Sequence, residues 1–129
     1  MYHPFKRAIS IAYGKGSAAA VISSPNFPNE YQQGMASAVL LRKCFVSISK
    51  HRADGAYFKG SERLDVLSSP DQLFRPVDIA FGLDGGMYVS DFCSRIIGHA
   101  QNSMRDPRWD PQCGRIWRIT YKGKPVVKD

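Results

Sequence analysis

Apolar and polar side chains alternate most cleanly over Phe74–Asp91, FRPVDIAFGLDGGMYVSD. Val77, Ile79 and Phe81 alternate with Asp78 and Ala80, the period of two that a half-buried strand requires. Gly82-Leu83-Asp84-Gly85 follows with glycines where a turn needs positive φ. Met87 and Val89 then alternate with Tyr88 and Ser90. The pattern predicts a β-hairpin. With Phe81 opposite Gly86, Asp78 faces Val89 and Pro76 faces Asp91. The chain is expected to return as a third strand over 115–121, with Trp117, Ile119 and Tyr121 on one face and Trp117 and Tyr121 in the core.

Elsewhere the punctuation is dense, with 11 Gly and 8 Pro in 129 residues. The stretches between them are short and rich in Val, Ile, Tyr and Phe, which predicts an all-β domain. Further strands are expected over Ala8–Tyr13, Ala18–Ser23, Ala38–Leu41, Phe45–Ser49, Tyr57–Lys59 and Leu64–Leu67. Ser24–Gln33 and Gln101–Gly114 read as long irregular loops, which tend to be functional or mobile. Three antiparallel strands in a row make a meander, and a meander with a fourth strand is a propeller blade. Asp54-Gly55-Ala56-Tyr57 weakly echoes the Asp84-Gly85 turn, as a repeated blade would.

Composition narrows the class. Charged residues make up 22% and hydrophobic ones 43%, values that exclude a disordered tail, a collagen repeat and a coiled coil. No apolar run approaches the roughly 18 residues of a membrane span, and Met1-Tyr2-His3-Pro4 leads into no signal-peptide core. The net charge of +7 is spread thinly, and no run of Lys or Arg exceeds two residues. That distribution argues against a nucleic-acid stripe and for a mildly basic surface. Cys44, Cys93 and Cys113 allow one disulfide and leave one thiol over. The spacing of Cys93, His99 and Cys113 matches no standard zinc pattern, so isolated thiols are the ordinary expectation. CxxCH is absent, so this chain carries no haem-attachment signature.

The hairpin register gathers chemistry at one edge. Arg75, Asp78 and Asp91 are expected there, and the loop from Phe92 to Gly114 leaves from the same edge with His99, Arg105 and Asp106. Each has an ordinary role as well. Asp91 at a strand end suits a chain-turning side chain, and Asp106-Pro107 suits turn initiation. Arg75 before Pro76 is held extended, for a salt bridge or for an anion.

The segment FRPVDIAFGLDGGMYVSDF, followed by RIIGHAQNSMRDPRWD and GRIWRITYKGKP, resembles the β-propeller module of bacterial membrane-bound dehydrogenases related to quinoprotein glucose/sorbosone dehydrogenases. ISSPNFPNEYQQG looks like the loop that opens an earlier blade of the same module. The resemblance implies a partial β-propeller of two to three meander blades. Residues 1–73 would be earlier blade material and 74–125 the last recognisable blade of a C-terminal fragment. It also implies a periplasmic or envelope location and a parent protein with further blades and a cytochrome c module.

By the same resemblance, the activity would be quinone-dependent oxidation of a sugar or alcohol, with PQQ and Ca²⁺ as cofactors. His99 would be the catalytic base. Arg75 and Arg105 would meet the quinone carboxylates. Asp78, Asp91 and Asp106 would be oxygen ligands to the metal. The chain departs from the family pattern at Cys93 and Ser94, where an aromatic-Asn pair is usual. It departs again at Asn102, where a second His is common, and at Cys113, where His or Arg is common. These departures remove proton carriers and ligands. They put a non-catalytic binding module for carbohydrate or protein partners level with the enzyme. As a fragment, the chain is expected to self-associate, with Val77, Ile79, Phe81, Ile116 and Ile119 left exposed.

Overall fold

The structure is a computed structural model that describes residues 16–40, 44–96, 103 and 105–125. These residues are all-β apart from a single 3-10 turn, Asn29–Tyr31. Strands β1 (Gly16–Val21), β2 (Met35–Val39), β3 (Phe45–Asp54) and β4 (Tyr57–Ser68) form one antiparallel meander. Strands β5 (Pro76–Phe81), β6 (Met87–Asp91) and β7 (Arg115–Ile119) form a second. Two consecutive antiparallel meanders, of four and three strands, with long irregular loops fit the partial propeller that the resemblance implies. The expected strand Ala8–Tyr13 lies outside the described residues.

The blades meet through small side chains. Ala18 and Ala20 on β1 and the buried Ala36 and Ala38 on β2 let β5 pack closely across both strands. Ser17 reinforces the joint by donating its hydroxyl to the Pro76 carbonyl at 2.6 Å. Val46 and Ile48 complete the first blade's contribution to the core. Ile79, Met87 and Val89 face them from the second blade, flanked by Phe81, Trp117 and Ile119. Phe27 meets Phe81 edge to face at 5.8 Å between ring centres.

This packing corrects the expected exposure of the second blade. Ile79 is buried, and Phe81 and Ile119 are half-buried, because the first blade covers that face; Val77 is half-buried as well. Only Ile116, on the opposite face, is open, at 73%. Tyr121 is also exposed, since β7 ends at Ile119 before reaching it.

Two other differences have local causes. Phe81 pairs with Met87 and Asp78 with Ser90, one position from the expected register. An irregularity at Val77 absorbs the offset, so Pro76 still faces Asp91. The expected strands Tyr57–Lys59 and Leu64–Leu67 are one continuous β4, paired with β3 along its length. The polar run through Gly60–Arg63 hides this from periodicity. Gly55 (φ 65°) and Gly85 (φ 82°) both adopt the left-handed conformation, so the echoed Asp-Gly pairs are turns of similar backbone demand.

Candidate functional site

The end of β6 is organised by one carboxylate. Asp91 pairs with Pro76 across the hairpin and with Arg115 on β7. Its side chain is buried. Oδ1 accepts from the backbone N–H of Arg75 at 2.8 Å and of Cys93 at 2.9 Å. Oδ2 accepts from Arg115 Nε at 2.8 Å and from the Trp117 indole at 2.9 Å. Four donors engage both carboxylate oxygens. Arg115 extends the network to Asp71 at 2.6 Å and lies over the Trp117 ring at 5.4 Å. Asp71 is held below the usual carboxylate range, first by the Leu73 N–H and then by Arg115.

The chain leaving Asp91 builds a pocket of about 310 Å³ lined by Phe92, Ser94, Arg105, Asp106, Trp109 and Asp110, among others. Short turns shape it. Asp106 Oδ1 accepts from the Arg108 N–H at 2.9 Å, and Asp110 Oδ1 from the Gln112 N–H at 3.0 Å. A disulfide between Cys93 and Cys113, with Cα atoms 5.6 Å apart, closes the segment. It replaces the expectation of isolated thiols and leaves Cys44 free. The Trp109 indole donates to the Ser103 carbonyl at 3.1 Å, and its ring meets Phe92 edge to face at 6.2 Å. Phe92 stays 47% exposed, so an aromatic surface stands at the pocket.

A second cavity, of about 620 Å³, lies where the end of β4 and the following linker approach Arg75 and Arg95. Arg75 Nη1 donates to Cys44 Sγ and to the Phe74 carbonyl, each at 3.1 Å.

A family model described as a domain of unknown function, DUF7133, matches residues 8–123. The chain belongs to that family. No curated protein and no solved structure matches it.

In this DUF7133 domain Arg75, Asp78 and Asp91 do share one edge of the second blade, as the register requires. They do not share a face. Asp91 points into the core, whereas Asp78 is exposed and accepts from the Ile79 N–H at 2.9 Å. Asp106 is ion-paired to Arg108 at 2.7 Å. That guanidinium, and then its own backbone N–H, holds the carboxyl down to about 2. Arg75 and Arg105 line different cavities. His99 lies outside the described residues.

Among the described residues, no three acidic, His or Cys side chains form a metal-ligand group. Asp78, Asp91 and Asp106 therefore do not form one metal-ligand group. No helix among them is long and apolar enough to cross a membrane.

Sequence reading allowed one disulfide without choosing its pair, and it gave Asp91 the chain-turning role seen in the bond from the Cys93 N–H. It missed the aromatic pair and the bonds that Arg115 and Trp117 bring to Asp91. The last left a usable signal. Arg115 and Trp117 alternate on β7, which places both on the face of Asp91 once the strands pair.

Proposed function

We propose that this DUF7133 domain is a non-catalytic binding module of two propeller-type blades whose disulfide-closed loop pocket takes a carbohydrate unit. The observation that carries this reading is the Phe92–Trp109 pair beside Arg105, Asp106 and Asp110. A sugar has an apolar C–H face and a rim of hydroxyls. An aromatic ring covers the first, and ionised side chains hydrogen-bond the second. The volume of about 310 Å³ falls at the small end of ligand pockets, which run from roughly 300 to 1,000 Å³.

Proton-transfer chemistry has little support in the same geometry. A general acid or base works best with a pKa near the operating pH. Asp106 is held down to about 2 by Arg108, and Asp91 has every oxygen engaged. The disulfide suits an oxidising compartment and supports a periplasmic or envelope location.

The linear motifs favour a second reading, in which the parent protein oxidises a sugar or alcohol with a quinone and passes electrons to a cytochrome module. Sugar-dependent dye reduction after quinone addition would support that reading over the first.

Saturation-transfer NMR with a panel of neutral sugars tests the binding reading. Trp109→Ala should weaken binding at least about tenfold, by removing most of the stacking surface, with little change in melting temperature. The proposal fails if no sugar in the panel binds, or if Trp109→Ala binds as well as the native chain.

A further inference from the structure

The cavity of about 620 Å³ stands apart from the loop pocket and has different chemistry. Its walls come from the start of β3 (Cys44, Phe45), the end of β4 (Asp65, Ser68), the linker through Gln72, and Arg75 and Arg95. The wall is polar and carries two guanidinium groups.

The charges of this wall are unevenly compensated. Asp71 is occupied, with Arg115 on Oδ2 at 2.6 Å and the Leu73 N–H on Oδ1 at 2.9 Å. Among the described residues Arg75 touches no carboxylate with its side chain. Its donors reach only neutral acceptors: Cys44 Sγ, the Phe74 carbonyl and, at 3.4 Å, the Arg95 carbonyl. Its Nε is buried without an acceptor among the described residues. Arg95 is exposed at the same cavity, and its guanidinium has no ion-pair partner among the described residues. A half-buried cation whose hydrogen bonds go to groups other than carboxylates favours an anion more strongly than a solvated one does. The planar fork of Arg matches a two-oxygen anion with little further ordering.

We propose that Arg75 and Arg95 bind the oxyanion, carboxylate or phosphate, of a small hydroxyl-bearing ligand such as a sugar acid. Ser68, Ser69 and Gln72 supply neutral partners for its hydroxyls. The site extends beyond the loop pocket and does not depend on it.

Cys44 gives a direct readout. Among the described cysteines it alone is free, and its sulfur lies 3.1 Å from Arg75 Nη1. Iodoacetamide should alkylate it, and a ligand seated on Arg75 should slow the reaction. Glucuronate is expected to protect saturably and glucose not to. Glucose 6-phosphate in parallel distinguishes phosphate from carboxylate as the preferred oxyanion. Arg75→Gln should raise the half-protecting concentration about tenfold, the order expected for hydrogen bonds to a charged group. Arg95→Gln, at an exposed position, should raise it less and serves as the second variant if Arg75→Gln does not fold. The proposal is overturned if neither anion protects, if glucose protects as well as glucuronate, or if neither substitution weakens protection.

Discussion

The segment from Ile22 to Gly34 and the described residues between Phe92 and Gly114 are both irregular, yet they are held by different means. In the first, Ile22, Ser24, Asn26 and Phe27 are buried. Its bonds reach far along the chain. Ser24 donates its hydroxyl to the Gly85 carbonyl, and Asn26 Oδ1 accepts from the Tyr121 N–H at 2.9 Å. Asn26 Nδ2 donates to the Lys124 and Pro125 carbonyls at 3.3 and 3.4 Å. Gly85 is part of the same fit: a Cβ there would stand 2.9 Å from that of Asn26, in a backbone conformation that disfavours side chains. In the second segment most described bonds are local turns, and the disulfide supplies the long closure. Long-range hydrogen bonds turn a loop inward and make it part of the core. Local turns with one covalent closure fix the backbone and leave side-chain faces open to a ligand.

The largest effect is expected at the root of the second segment. Asp91→Ala leaves Arg115, Trp117 and the N–H groups of Arg75 and Cys93 without their acceptor. Breaking a buried charged network of this kind costs about 3–5 kcal/mol. Chemical denaturation should show that loss, and hydrogen exchange should show residues 92–114 loosening before residues 22–34. Equal loosening of both would erase the distinction between them.

Reduction of Cys93–Cys113 comes next. The bridged residues are 20 apart, and a closure of that length contributes about 3 kcal/mol in the chain-entropy account. Melting with and without reductant measures it. Carbohydrate binding should fall at the same time, because the pocket wall is lost. An unchanged melt would mean that the local turns alone hold the second segment.

Asn26→Ala probes the first segment. Leaving the Tyr121 N–H without its acceptor and removing two further bonds should cost about 2 kcal/mol. Amide exchange at Tyr121 should accelerate, while sugar affinity stays as it was. A loss of sugar affinity would show the two segments to be coupled.

The smallest effect is one of acid. Asp106 ordinarily titrates near 3.8 and is held down to about 2 in the folded chain. A depressed folded value means that the Asp106–Arg108 contribution is complete above 3.8 and disappears as pH falls toward 2. Carbon-13 NMR of the Asp106 carboxyl should follow that course, and Arg108→Ala should return it toward 3.8. A carboxyl that titrates near 3.8 in the native chain would show the ion pair to be absent in solution.

Local pattern alone determined the strand class and the hairpin of the second blade. Alternation at Val77–Phe81 and Met87–Val89 and the glycines of the turn act over a few residues, and a strand's two faces are written at that range. The placement of Arg75, Asp78 and Asp91 at one edge followed from the same information. Tertiary structure decided what range-limited pattern cannot carry. The first blade's small side chains determined which face of the second was covered, and so buried Ile79 and left Ile116 open. The paired backbone of β3 carried β4 through a polar run that has no periodicity of its own. The return of β7 brought Arg115 and Trp117 onto Asp91, turning a strand-end acid into a saturated acceptor. The same return set Cys113 beside Cys93. Each of these outcomes depends on groups many residues apart meeting in space, and burial, pairing and bond satisfaction exist only once they have met.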